Sequence, residues 1–477
     1  MNGELLEEGL GETVSLSADG NLLLVSSFTD VILYGYDPDG WTVVKRFGRM
    51  LVDNGRGAYR AKLARFGRFV LVGSPNNGSQ GIDTGAAQAF RLNEDGVWGQ
   101  LGATIIGDKA GDLLGYGVDI ANLDRRIVVG APGGNYARSY TRNGARWVYT
   151  ENENLGGNIP GSDFGFSVSI SADGNSAIVG APKYVESLGM IRAYRIKTQE
   201  DTQQITGDFP GSMWGHAVAM TADGLTVAIS EPGVGRVKVF RSNSLFKTWE
   251  QAGLDIIVEN EEFGFSLAII GVGTSIAVGA PGNTFNGPDA GAGYVFEYDS
   301  EWPDLNGNWI QKGLPFYAVD VGSRCGESIA FSDDGEKVVT ACPSADFLTM
   351  DGGRLCVYTA PPPVAPSTSP SIEPSTTPTT MPTPSPTESP TKTPTSAPTT
   401  KPTTLAPVIT EAGTTPVGLS LTQILAAIFS MILTFFGGIC AGGCVGGGLW
   451  YNWCYGGYYC CDWWYEPWYY HSSYQQQ

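Results

Sequence analysis

The stretch from 163 to 182, DFGFSVSISADGNSAIVGAP, recurs along the chain, and that recurrence limits the fold more than any other feature. LGYGVDIANLDRRIVVGAP closes at Pro132, WGHAVAMTADGLTVAISEP at Pro232, FGFSLAIIGVGTSIAVGAP at Pro281 and CGESIAFSDDGEKVVTACP at Pro343. In all five copies a glycine precedes the closing proline by 17 residues: Gly115, Gly165, Gly215, Gly264 and Gly326. Two weaker copies, LGETVSLSADGNLLLVSS and AYRAKLARFGRFVLVGSP, precede them. Seven units about 50 residues apart imply one supersecondary element used seven times.

Each unit reads as β-structure. Ser167-Val168-Ser169-Ile170 alternates with the two-residue period of a half-buried strand. The ADG that follows is a hairpin, since Gly takes positive φ cheaply and Asp bonds its own backbone. An apolar run comes next (SAIVG, RIVVG, SIAVG), as for a strand buried on both faces, and proline ends it. A variable loop leads to a third strand (MIRAYRI, RVKVFRS, AGYVFEY, RLCVYTA) and often to a Trp-led fourth. Four strands in each of seven units make an all-β, seven-bladed propeller over residues 1–360. A WD-repeat reading fails, because no WD dipeptide closes a third strand.

The pairs Phe164-Gly165 with Gly180-Ala181-Pro182, and Phe263-Gly264 with Gly279-Ala280-Pro281, resemble FG-GAP repeats. Such repeats build the seven-bladed propeller of integrin α subunits, and the resemblance spans residues 9–360. It implies a cell-surface recognition module. It also implies calcium in the first hairpin of several blades, which needs several hard oxygens at alternating positions. The hairpins here (SADGNS, NLDRRI, TADGLT, IGVGTS, SDDGEK) carry at most two acids each and lack the trailing Asp. Calcium is not expected there, and Asp173, Asp223 and Asp334 read as turn formers.

Nothing in the sequence singles out a catalytic residue. The two histidines, His216 and His471, lie far apart, and His216 occupies the place of Phe166 and Phe265 in sister units, a packing position. No Cys-x-x-Cys, phosphate-binding loop or G-x-S-x-G turn occurs. The loops between second and third strands are long at 76–88, 282–293 and 344–353, and each ends on an acid before a Gly-rich strand start: Asp83, Asp289 and Asp351. These acids read either as turn formers or as a polar or cation-assisted patch for a protein or glycan ligand. The net charge of −19 argues against nucleic acid and anionic lipid as partners.

Beyond Ala360 the composition changes. Residues 361–416 are dominated by Pro, Ser and Thr, which cannot bury a core and suit an extended, O-glycosylated stalk. At ~3.1 Å per residue such a stalk spans roughly 150 Å. Residues 417–449 carry no charge and exceed the ~20 that cross a bilayer, so one transmembrane helix with a Gly-rich extension is expected. Gly438, Gly442 and Gly446 recur every fourth residue, which lets two helices approach closely or simply reflects conformational tolerance. Residues 450–477 form a Trp/Tyr-rich tail suited to the headgroup boundary, with Cys454, Cys460 and Cys461 placed for palmitoylation.

Orientation rests on indirect signs. The opening MNGELLEEGLGETVS is acidic with no apolar core, so either a leader has been lost from the start or the chain is tail-anchored; the stalk favours an outward propeller. Asn77-Gly78-Ser79 is an N-glycan acceptor sequence in a loop. Cys325 and Cys342 replace the Phe of FG and the Ala of GAP in the seventh unit. A four-residue hairpin loop at 332–335 would set them opposite one another, ready for a disulfide, with Cys356 left over. The seventh unit lacks a fourth strand, and residues 2–8 are expected to supply it. The function expected is adhesion or ligand recognition at the cell surface; a glycan-active enzyme of the surface or wall, or a structural wall component, are the alternatives.

Overall fold

The computed structural model describes residues 9–359 apart from 48–58, 123–124, 150–153, 158, 197–199, 243–248, 260, 302–306 and 346–351. Seven antiparallel sheets follow one another along the chain. Their innermost strands are Thr13–Leu16, Arg60–Leu63, Val118–Ile120, Ser167–Ile170, Val218–Met220, Ser266–Ile269 and Ser328–Phe331. Each pairs with the next strand in sequence, and so on outward, which is the up-and-down blade of a propeller. In blades 2, 3, 5 and 6 the outer strand is broken into two pieces that both pair with the third strand. Blade 7 has three strands among the described residues. Residues 2–8, the stalk, the expected span and the tail all lie outside the described residues. Among the described residues no helix is long and apolar enough to cross a membrane.

The first hairpins explain their own sequence. Ser171 Oγ donates to Asp173 Oδ1 (2.6 Å), which also accepts from the Asn175 N–H (2.9 Å), while the Ser176 N–H bonds Ser171 Oγ (3.0 Å). Ser17 with Asp19, Thr221 with Asp223 and Ser332 with Asp334 repeat the same box. These carboxylates are spent on their own turns, as befits turn formers.

The FG and GAP elements meet between blades. A Cβ on Gly130 would overlap the carbonyl oxygen of Gly165 in the next blade; Gly180 stands so against Gly215, Gly279 against Gly326 and Gly73 against Gly115. Backbone therefore touches backbone at four seams, and only glycine allows it. The residue before each FG glycine plugs the seam beneath. Phe164 is fully buried among Val128 and Ala137 of blade 3 and Ala177, Val179 and Ala181 of blade 4. The core is thus a set of inter-blade layers. Leu114, Trp214 and Cys325 bridge back to Gly85, Gly189 and Gly291 of the preceding blade. Leu10 bridges Gly353 in the same manner, joining blade 7 to blade 1 and closing the ring.

Blade 7 corrects one expected register. Ser328 pairs with Ala341 and Phe331 with Val338, so the hairpin loop is 333–336, one residue later than 332–335. Ser332 extends the ladder by one pair: its N–H donates to the Lys337 carbonyl (3.0 Å) and its hydroxyl takes the Lys337 N–H. The chain then bends at Gly326 (φ +99°), whose N–H bonds the Ala341 carbonyl at 2.9 Å. That bend offsets the shift and brings Cys325 opposite Cys342, and a disulfide joins them.

Candidate functional site

Inner strands begin, and third strands begin, at one end of the ring, so the blade connections and the long loops share that face. The residue entering each inner strand from this face lines the mouth of the central channel. Around the ring these residues are Glu12, Arg60, Tyr116, Phe166, His216, Phe265 and Glu327. They form a nearly continuous collar. Arg60 pairs with Glu12 (3.0 Å) and lies over the Tyr116 ring at 4.9 Å. Tyr116 packs on Phe166 (4.8 Å), Phe166 on His216 (5.0 Å) and His216 on Phe265 (4.7 Å), tilted ring to tilted ring. Arg324 completes the circuit: it lies over Phe265 (5.9 Å), pairs with Glu262 (2.9 Å) and donates to Glu327.

Two groups in the collar titrate abnormally. Burial pushes the Glu12 carboxyl above the usual carboxylate range; Arg60 opposes this and the nearby Glu327 charge adds to it. Burial between two rings pushes the His216 imidazole down to about 4, against a smaller opposing effect of its Nδ1 contact with the Phe265 carbonyl. The unfolded chain therefore takes up this proton near pH 6.5 and the folded chain only near 4. Stability from this group is level above pH 6.5 and falls as pH drops from 6.5 to 4. His216→Phe, which installs the sister residue, should remove about 2 kcal/mol of that fall. Urea midpoints of both proteins at pH 7.5 and 4.5 measure it; equal acid losses would contradict it.

Below the collar the channel narrows to a polar cavity of about 170 Å³. Asp119 links its blade to both neighbours there, accepting from the Ser169 hydroxyl (3.1 Å) and the Ile170 N–H (2.9 Å) of blade 4, with Lys62 Nζ of blade 2 3.9 Å from its other oxygen. At the far end the hairpins link hand to hand. Asp333 N–H bonds the Ala18 carbonyl (2.9 Å), Ala18 that of Arg65 (2.8 Å), Asn122 that of Ala172 (3.0 Å) and Ala172 that of Ala222 (2.8 Å). An Arg65–Asp333 ion pair at 2.5 Å ties blade 2 to blade 7 there.

The loop acids stand at blade seams. Asp83 and Asp289 occupy left-handed backbone (φ +55° and +49°), and their carbonyls accept the Leu113 and Arg324 N–H groups at 3.0 and 2.9 Å. Their main-chain work is to bind each loop to the next blade. They belong to blades 2 and 6, and Asp351 lies outside the described residues. Among the described residues no group of three or more His, Cys, Asp or Glu could hold a metal ion. Asn77 is only 3% exposed, its Oδ1 accepting from the Ser79 N–H (3.1 Å) and hydroxyl (2.6 Å). A glycan there would have to be attached before this loop folds. Cys454, Cys460, Cys461, Gly438, Gly442 and Gly446 lie outside the described residues.

Sequence reasoning missed the collar as a unit, although its signal was the position following each FG glycine. It also missed the clamps that stand outside it: Asp108 with Arg138 (2.9 Å), Asp208 with Lys238 (3.0 Å) and Asp320 with Arg354 (3.1 Å). Each joins a blade connection to a third strand. The same face presents exposed apolar loop residues, among them Phe28, Ile82, Val185, Phe209, Phe285 and Val319.

The fold and channel define a seven-bladed β-propeller. No protein-family model matches the chain, and no curated protein matches it. Among solved structures it is similar to the β-propeller domain of Cps50 (Swd1) from Myceliophteria thermophila, with 10% identity, 76% of this chain and 99% of that chain covered, and a TM-score of 0.51. It is also similar to Kuenenia stuttgartiensis hydrazine synthase, with 13% identity, coverage of 76% and 97%, and a TM-score of 0.49. At such identities the first likeness is one of fold alone.

Proposed function

We propose that the chain is a single-pass cell-surface propeller of the FG-GAP type, similar to the integrin α-subunit propeller. It acts in adhesion or ligand recognition and takes a protein or glycan across the collar face. The observation that carries this reading is the collar itself. Aromatic rings flanked by two Arg–Glu pairs, at the mouth of a channel and among exposed apolar loops, suit a ligand with both apolar and hydrogen-bonding faces. The charge-free run at 417–449 supports anchoring, and the Pro/Ser/Thr segment supports display away from the membrane. The Cys325–Cys342 bond fits an oxidising compartment.

The test is an array of glycans and extracellular proteins probed with the whole chain in detergent, with and without calcium. Retained ligands that compete with one another for the collar face are expected. Cleavage of an arrayed oligosaccharide would favour a glycan-active enzyme, and no retention of any kind would favour a structural wall component. Either outcome overturns the recognition reading.

A further inference from the structure

We propose that Cys356 is a built-in exchange partner for the Cys325–Cys342 bond, so that blade 7 carries a three-cysteine site with two alternative disulfides. The second strand of blade 7, Lys337–Cys342, pairs with the third, Arg354–Thr359, setting Cys342 opposite Arg354 and Thr340 opposite Cys356. Directly paired residues share a face and side chains alternate along a strand, so Cys342 and Cys356 lie on one face, one step diagonal. Cys356 indeed packs against Cys325, Cys342, Ala290, Ala318 and Ala345 at the seam with blade 6. The bonded pair is enclosed, whereas Cys356 is half-buried and free. Cys325 and Cys356 both line a cavity of about 570 Å³, walled also by Tyr317, Asp320, Arg354 and Tyr358.

The step needs no oxidant. The deprotonated Cys356 Sγ attacks Cys342 Sγ; the 342–356 bond forms as the 325–342 bond breaks. The electron pair leaves on Cys325 Sγ, which takes up the proton that Cys356 gave away. One disulfide and one thiol stand on each side. Diagonal cross-strand positions are about 7–8 Å apart between Cα atoms, and a disulfide spans up to about 6.8 Å, so the third strand must slide by roughly an ångström. The slide shifts the six pairs that this strand makes with Lys337–Cys342.

The exchange reaches the collar. Cys325 is bridged to Gly291, follows Arg324 and precedes Glu327 by two residues, so releasing it loosens the connection that places this Arg–Glu pair at the channel mouth. Two samples of the whole chain test the idea by digestion and mass spectrometry without reduction. Wild-type protein held in a mixture of reduced and oxidised glutathione should yield two linked peptides, 325–342 and 342–356. Cys325→Ser, treated with oxidised glutathione, should yield 342–356 in place of two thiols. Recovery of 325–342 alone from the wild type overturns the proposal, and this arm stands even where the variant fails to fold. In a folded variant, Cys342 and Cys356 recovered separately, as thiols or as glutathione adducts, overturn it equally.

Discussion

Gly130→Val should cost about 3 kcal/mol or more and leave little folded protein. A Cβ at Gly130 meets the Gly165 carbonyl oxygen, its carbon and its Cα, all backbone of the next blade. Backbone cannot swing aside as a side chain can, so the clash must open the whole seam around Phe164. Gly180→Val and Gly279→Val should behave alike, against Gly215 and Gly326. Gly99→Ala is the control, since a Cβ there meets only the end of the Asn93 side chain at 3.3 Å, and it should stay within ~0.5 kcal/mol of the parent. Urea unfolding midpoints decide the matter. A valine variant as stable as the parent would remove inter-blade glycine contact as the reason for the repeat.

Removing the Arg236 guanidinium should be comparably damaging. Glu231 replaces the Ala of GAP in blade 5 and is fully buried (0% exposed). Arg236 satisfies it with two hydrogen bonds of 3.0 and 2.8 Å, and reaches Asp255 (3.2 Å) and Asp208 (3.1 Å) as well. Arg236→Met strands the Glu231 carboxylate inside the seam, at a cost of about 3–5 kcal/mol. Glu231→Ala restores the residue of Ala131, Ala181 and Ala280, and leaves Arg236 its two other acids, so it should cost far less. Adding Glu231→Ala to Arg236→Met should recover most of the lost stability. A double variant no better than Arg236→Met would show that the damage lies elsewhere, in packing against Phe209.

Legibility followed the physics of each feature. The FG and GAP glycines declared themselves because backbone contact admits one residue type, so four of the seven seams keep a glycine on both sides, while Ser26, Ser230 and Ala341 stand at the other three. The blade 7 hairpin was displaced because the Ser332 hydroxyl takes the Lys337 N–H beside the backbone bond from the Ser332 N–H to the Lys337 carbonyl, adding a pair that alternation cannot reveal. Glu231 was visible only as a departure from Ala, since its partner Arg236 belongs to the following strand and Arg236's other acids, Asp208 and Asp255, to other loops. The collar escaped for a related reason. Phe166, His216 and Phe265 could be aligned as equivalent positions, yet their mutual contact arises only when the ring closes and brings seven strand starts to one mouth. Asp83 and Asp289 drew notice as loop acids, while their left-handed backbone, which binds loop to neighbour, leaves no mark that distinguishes it from a ligand patch.

The central claim is that the collar face binds the ligand, and titration of one array-selected ligand against collar variants tests it most directly. Tyr116→Ala and Phe265→Ala each remove a ring from the arc at the channel mouth, and their melting curves report whether the propeller remains folded. With both variants folded, the whole chain should bind at least about tenfold more weakly than the parent, a loss of ~1.4 kcal/mol. Unchanged affinity in both would place recognition away from the collar and contradict the account.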